Sequence, residues 1–82
     1  MVKIETKRKI GYDFSKSADW NIKKGLNVLE NKYDIKSIKT RLLIVARELE
    51  VRAIQYKNDN PELSKKVRKM ANKAYKLYDL KY

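Results

Sequence analysis

"IKTRLLIVARELEVRAIQY", residues 38–56, places apolar side chains at 38, 42, 45, 49, 53 and 56. Steps of four and three residues put these positions on one face of an α-helix, sustained over five turns and reinforced by Ala46. The segment carries more than one stripe. Leu43 and Ile54 flank it, while Ile44 and Val51 lie seven residues apart almost opposite it. A helix apolar around most of its circumference belongs at the centre of a domain, touched by neighbours on two sides.

Downstream, "KNDNP" at residues 57–61 ends this helix and starts the next. Asn60 suits the N-cap, Pro61 the first helical position and Glu62 the positive end of the new helix. Leu63, Val67, Met70, Ala74 and Leu77 then trace a further stripe, with Ala71 and Tyr78 at its margin. Upstream, "DIKS" at 34–37 breaks the pattern and offers Asp34 or Ser37 as a cap. Before it, Ser17 is a cap and Asp19 a first-turn charge for a helix whose face is Ala18, Ile22, Leu26, Leu29 and Tyr33. Gly25 inside that helix weakens it by about 1 kcal/mol relative to Ala, so its presence points to close helix contact.

Three amphipathic helices joined by short polar loops, over about 18–33, 38–57 and 61–79, predict an all-α three-helix bundle occupying residues 17–82. Residues 1–16 read as an extended basic arm with room for a short strand: Val2, Ile4 and Thr6 alternate, then Ile10, Tyr12 and Phe14, with Gly11 as a bend. Such an arm either lies across the helices through Ile10, Tyr12 and Phe14 or pairs with another molecule.

At 82 residues the chain is expected to be a single domain. Lys and Arg number 21 against 10 Asp and Glu, a formal net charge of +11. An excess of that size repels itself in the compact state, and an anionic partner is the commonest reason to keep it, ahead of solubility alone. The absence of Cys fits an intracellular, cytoplasmic or nucleoid-associated protein, and no apolar run reaches the length of a membrane span. No signal-peptide core follows the first charges.

The charge is not evenly spread. On the third helix Lys65, Lys66, Lys69, Lys73 and Lys76 occupy an arc nearly opposite the apolar stripe, with Arg68 just outside it. Positions 65, 69, 73 and 76 stack four ammonium groups about 5 to 6 Å apart, without the Glu that would pair with them at i,i+4. The second helix, in contrast, intersperses Glu48 and Glu50 among Arg41, Arg47 and Arg52, the pattern of a solvated face. A lysine row at this pitch suits successive phosphates of a nucleic acid, and the shortage of Arg predicts backbone contact with little base readout. Lys7, Arg8 and Lys9 of "TKRK" on the arm form a second basic cluster.

Trp20 points away from the first helix's apolar stripe toward Lys23, Lys24 and Asn27. It either stacks on a base or sugar or is covered by the folded-back arm. Tyr33, Tyr56 and Tyr78 sit on core stripes, whereas Tyr75 and Tyr82 are freer. Ile44, Arg47 and Val51 on the second helix form a dock for a protein partner, a second copy included, or lie beneath the arm.

Missing chemistry narrows the function. With no His and no Cys, the usual nucleophile, base and metal-ligand arrangements are gone, so neither catalysis nor a metal or cofactor is expected. The two glycines stand apart and make no phosphate-cradling loop. A helix-turn-helix reader is disfavoured by the long leading helix, the long turn and Glu62 at the reading end.

From residue 38 onward, "IKTRLLIVARELE" followed by "NPELSKKVRKMANKAYKLYDLKY" resembles the helical hairpin that opens the zinc-ribbon protein subunit of archaeal ribonuclease P. The likeness covers about half the chain, rests on helical spacing and a "PEL" start, and lacks the ribbon's cysteines, so no residue role is transferred. It implies use as a small basic subunit on a larger nucleic-acid enzyme.

The sequence thus predicts a non-catalytic protein binding DNA or RNA through the third helix and the arm. Its rival is an accessory subunit of a polymerase, nuclease or ribonucleoprotein, docked through the second helix and the arm. Attachment to an anionic membrane is disfavoured, since the third helix's apolar stripe is needed for the bundle and holds no Trp or Phe.

Overall fold

The structure, a computed structural model, describes residues 9–81. Three helices follow in order: α1 Ala18–Asn31, α2 Ile38–Tyr56 and α3 Pro61–Lys81, with no strand among the described residues. Residues 1–8, which include Lys7, Arg8 and the alternation at Val2, Ile4 and Thr6, lie outside the described residues, as does Tyr82.

The caps explain where each helix starts. Ser17 Oγ accepts the Trp20 N–H at 3.1 Å and Ser37 Oγ the Thr40 N–H at 3.3 Å. Asn60 Oδ1 accepts the Leu63 N–H at 3.2 Å, beside Pro61, which needs no acceptor. α1 stops at Asn31, two residues short of the expected end. There the Lys32 N–H turns back to the Val28 carbonyl, Asp34 takes the left-handed conformation at φ 57°, and the Ile35 N–H reaches the Leu29 carbonyl at 3.0 Å. Asp tolerates that conformation better than most side chains, which makes Asp34 the turning point and leaves the capping of α2 to Ser37.

α2 and α3 run antiparallel along each other, and α1 packs on both. The hairpin is fixed at its closed end by Ser64 Oγ, which donates to the Ala53 carbonyl at 2.6 Å in the buried interface. Leu29, Val45, Leu49, Val67 and Ala74 are fully buried where the three stripes meet. Gly25 lets α1 approach α2: a Cβ built there would stand 2.6 Å from Val45 Cγ2 and 2.9 Å from the Tyr12 hydroxyl.

The described part of the arm folds across the helices. Ile10 is buried, and Tyr12 and Phe14 are half-buried against the core. The Tyr12 hydroxyl donates to Glu48 at 2.9 Å, while Phe14 meets the Tyr56 ring edge-on at 6.1 Å between centroids. Gly11, at φ +86°, makes the bend. Fully buried Asn21 fastens the arm to α1: its Oδ1 accepts the Asp13 N–H at 2.8 Å and its Nδ2 donates to the Asp13 and Ser17 carbonyls, each at 2.9 Å.

One expectation fails here. Arg41 and Glu48 are buried, not part of a solvated face. Both stand beside the apolar stripe on the side that receives α1 and the arm. The Arg41 guanidinium donates to the Leu26 and Lys36 carbonyls, both at 3.3 Å, and lies 3.5 Å from Glu30. A charge in that position is tolerated because carbonyls and a carboxylate replace most of its water.

Candidate nucleic-acid interface

α3 is held by its apolar stripe, so its opposite face is turned to solvent. Lys65, Lys66, Arg68, Lys69 and Lys76 are exposed there, and none forms an ion pair within the described residues. Lys73 departs from the expected row: its ammonium is 2.6 Å from Asp19 Oδ1. Bundle formation brings the first turn of α1 against the middle of α3, and the acid that α3 lacks within four residues of Lys73 arrives from another helix. Lys66 also lies within electrostatic range of Asp13, whose carboxylate is held below its ordinary pKa chiefly by the Ser15 hydroxyl and N–H, with Lys16 and Lys66 as lesser contributors. Even so, the row from Lys65 through Lys69 to Lys76 stays open over about 16 Å of helix.

The Asp19–Lys73 contact joins this row to a second basic surface. One turn beyond Asp19 on α1 comes Lys23, and with it Trp20, which is 39% exposed. The described arm runs toward Glu48 and Tyr56 through Tyr12 and Phe14. Trp20, Lys23, Lys24 and Asn27 line a shallow cleft of about 240 Å³. A larger cleft of about 480 Å³ continues from Lys24 and Asn27 to Asn31, Lys32 and Lys9, with Ile10 in its lining. Among the described residues no carboxylate lines either cleft. Lys9 is placed by its backbone N–H, which donates to the Tyr33 hydroxyl at 3.2 Å. This part of the basic arm therefore sits beside α1.

Asn31 and Lys32 were not singled out from the sequence, yet a signal exists. Trp20, Lys24, Asn27 and Asn31 recur at steps of four, three and four, a polar stripe opposite the apolar one.

The α2 positions are less open. Ile44 and Val51 are half-buried, Ile44 against the core, and Arg47 is exposed. Ile54, one turn beyond Val51, is 56% exposed. Tyr75 is half-buried, its hydroxyl donating to Glu50 at 3.3 Å, so it is less free than expected. No helix among the described residues is long and apolar enough to cross a membrane.

No protein-family model, curated protein or solved structure matches this chain. The site's chemistry is therefore read from its own residues.

Proposed function

We infer that this chain is a small non-catalytic nucleic-acid-binding protein that grips the phosphate backbone through the outer face of α3, with the arm as an auxiliary contact. The observation that carries this is the open row Lys65, Lys69 and Lys76, with Lys66 and Arg68 beside it, exposed and without ion-pair partners among the described residues. Like charges at this spacing cost the helix stability, a cost that phosphate contacts and counterion release would offset. The partner is DNA or RNA within the cell.

Charge reversal tests this. Lys65, Lys69 and Lys76 changed together to Glu should abolish gel-shift binding while the far-UV circular dichroism stays that of the parent. Lys73 is left unchanged, because reversing it would set two carboxylates against each other. Unaltered binding by the triple variant would reject the α3 face as the contact.

A second reading rests on Ile54, which extends the Ile44, Arg47 and Val51 line of α2 with exposed apolar surface. That line suits docking on a larger nucleic-acid enzyme or on a second copy. A stoichiometric large protein co-purifying from the native source, or a dimer in sedimentation equilibrium, would favour it.

A further inference from the structure

We propose that the outer face of α1 is a binding groove for single-stranded nucleic acid, with Trp20 as a stacking platform for one base and Lys23, Lys24, Lys32 and Lys9 as its phosphate contacts. The proposal deepens the nucleic-acid reading above and rests on it.

Three observations converge. First, Trp20 keeps 39% of its surface exposed at one end of a cleft, an accessible aromatic surface beside Lys23, Lys24 and Asn27. Second, the two clefts share Lys24 and Asn27, so a continuous path leads from Trp20 to Asn31 and Lys32. From Trp20 to Asn31 this path covers about 16 Å of helix, room for a short run of nucleotides. Third, the polar lining is cationic and amide-bearing, with no carboxylate among the described residues. Lysines supply charge to the backbone, and the amides of Asn27 and Asn31 offer both donors and acceptors to base edges or sugars.

An aromatic face among lysines selects for single strands. In a duplex the base faces are occupied by their neighbours, whereas an unpaired base has a free face, and every base has one, so stacking of this kind is tolerant of sequence. The α3 row needs only phosphates and accepts either form. Together the surfaces divide the work: α3 supplies salt-dependent affinity and α1 distinguishes single strand from duplex.

The test uses the full chain and its one tryptophan. Mixed-sequence oligonucleotides of about a dozen residues are titrated as single-stranded DNA, single-stranded RNA, duplex DNA and an abasic single strand. Anisotropy of a labelled strand reports binding, and intrinsic emission reports Trp20. Single strands should bind and quench Trp20 emission strongly, while duplex and abasic strand should bind with little quenching. Trp20→Ala should weaken single-strand binding about 10-fold, the scale of one lost stacked base, and leave duplex affinity within about twofold. Comparison of the DNA and RNA arms shows which sugar the groove prefers. Should Trp20→Ala lose helix content, Lys23→Ala with Lys24→Ala serves instead, with a larger loss expected for single strand than for duplex. Binding of all four ligands with Trp20 emission unchanged, or equal quenching by the abasic strand, would overturn the groove and leave the α3 reading intact. Absence of binding to any ligand at low salt would overturn both.

Discussion

The Lys73 ammonium sits 2.6 Å from the Asp19 carboxylate, and this single contact determines how the cationic surface is divided. It removes one charge from the α3 row and fixes α1 beside it. Both groups remain substantially exposed, the Asp19 side chain at 73% and Lys73 at 46%, so the pair adds at most about 1 kcal/mol to stability. Its larger effect is on binding. Asp19→Asn should release Lys73 to phosphate and steepen the slope of log affinity against log salt by about one. Melting should shift only slightly. A variant with the parent's salt slope would mean that Lys73 is not part of the contact surface.

Gly25→Ala separates local propensity from packing. Propensity alone favours Ala by about 1 kcal/mol in a helix interior. The added methyl would instead meet Val45 Cγ2 at 2.6 Å and the Tyr12 hydroxyl at 2.9 Å, closer than side chains approach. Urea unfolding should show a net destabilisation of about 1 to 3 kcal/mol. A stabilised variant would mean that α1 and α2 are farther apart than described.

Arg41 gives a complementary test. Its guanidinium spans two carbonyls and lies near the Glu30 carboxylate, while Nε is buried with no acceptor among the described residues. Arg41→Ala should cost about 1 to 3 kcal/mol in urea unfolding. Arg41→Lys should recover less than half of that, because an ammonium cannot reproduce the planar fork. Equal stability of Lys and Arg at this position would show that charge alone suffices.

Arg41 also shows where the sequence stops being informative. The helices were legible because each signal is local: Ser17, Ser37 and Asn60 cap, Pro61 starts, and the apolar steps repeat along one chain segment. Which polar neighbours of a stripe become buried depends on how helices rotate and cross, and one helix's periodicity carries no record of that. Periodicity therefore predicts a solvated face around Arg41 and Glu48 and a free cation at Lys73, and the packing of α1 and the arm changes both. Asn21 had a local signal, lying three residues after Ala18 and four before Gly25 on the inward side. The course of the described arm is likewise a long-range matter, set by Tyr12 with Glu48 and Phe14 with Tyr56.

Acid should loosen the turn before α1. Asp13 Oδ1 accepts from the Ser15 hydroxyl at 2.6 Å and the Ser15 N–H at 3.0 Å, which favours the carboxylate and lowers its pKa. A depressed pKa contributes stability that is present above the ordinary carboxylate value and lost as pH falls through the folded value. Carboxyl-carbon NMR should place the Asp13 titration below that of a free aspartate, and Ser15→Ala should move it upward. An unmoved titration would leave the hydroxyl without influence.

The salt dependence of binding bears most directly on the claim that an open lysine face meets phosphate. With the full-length parent chain and a mixed-sequence nucleic acid, about five phosphate contacts predict that affinity falls roughly 10² to 10³-fold between 50 and 200 mM salt, linearly on logarithmic axes. Binding that is flat across this range, or undetectable at 50 mM, would contradict it.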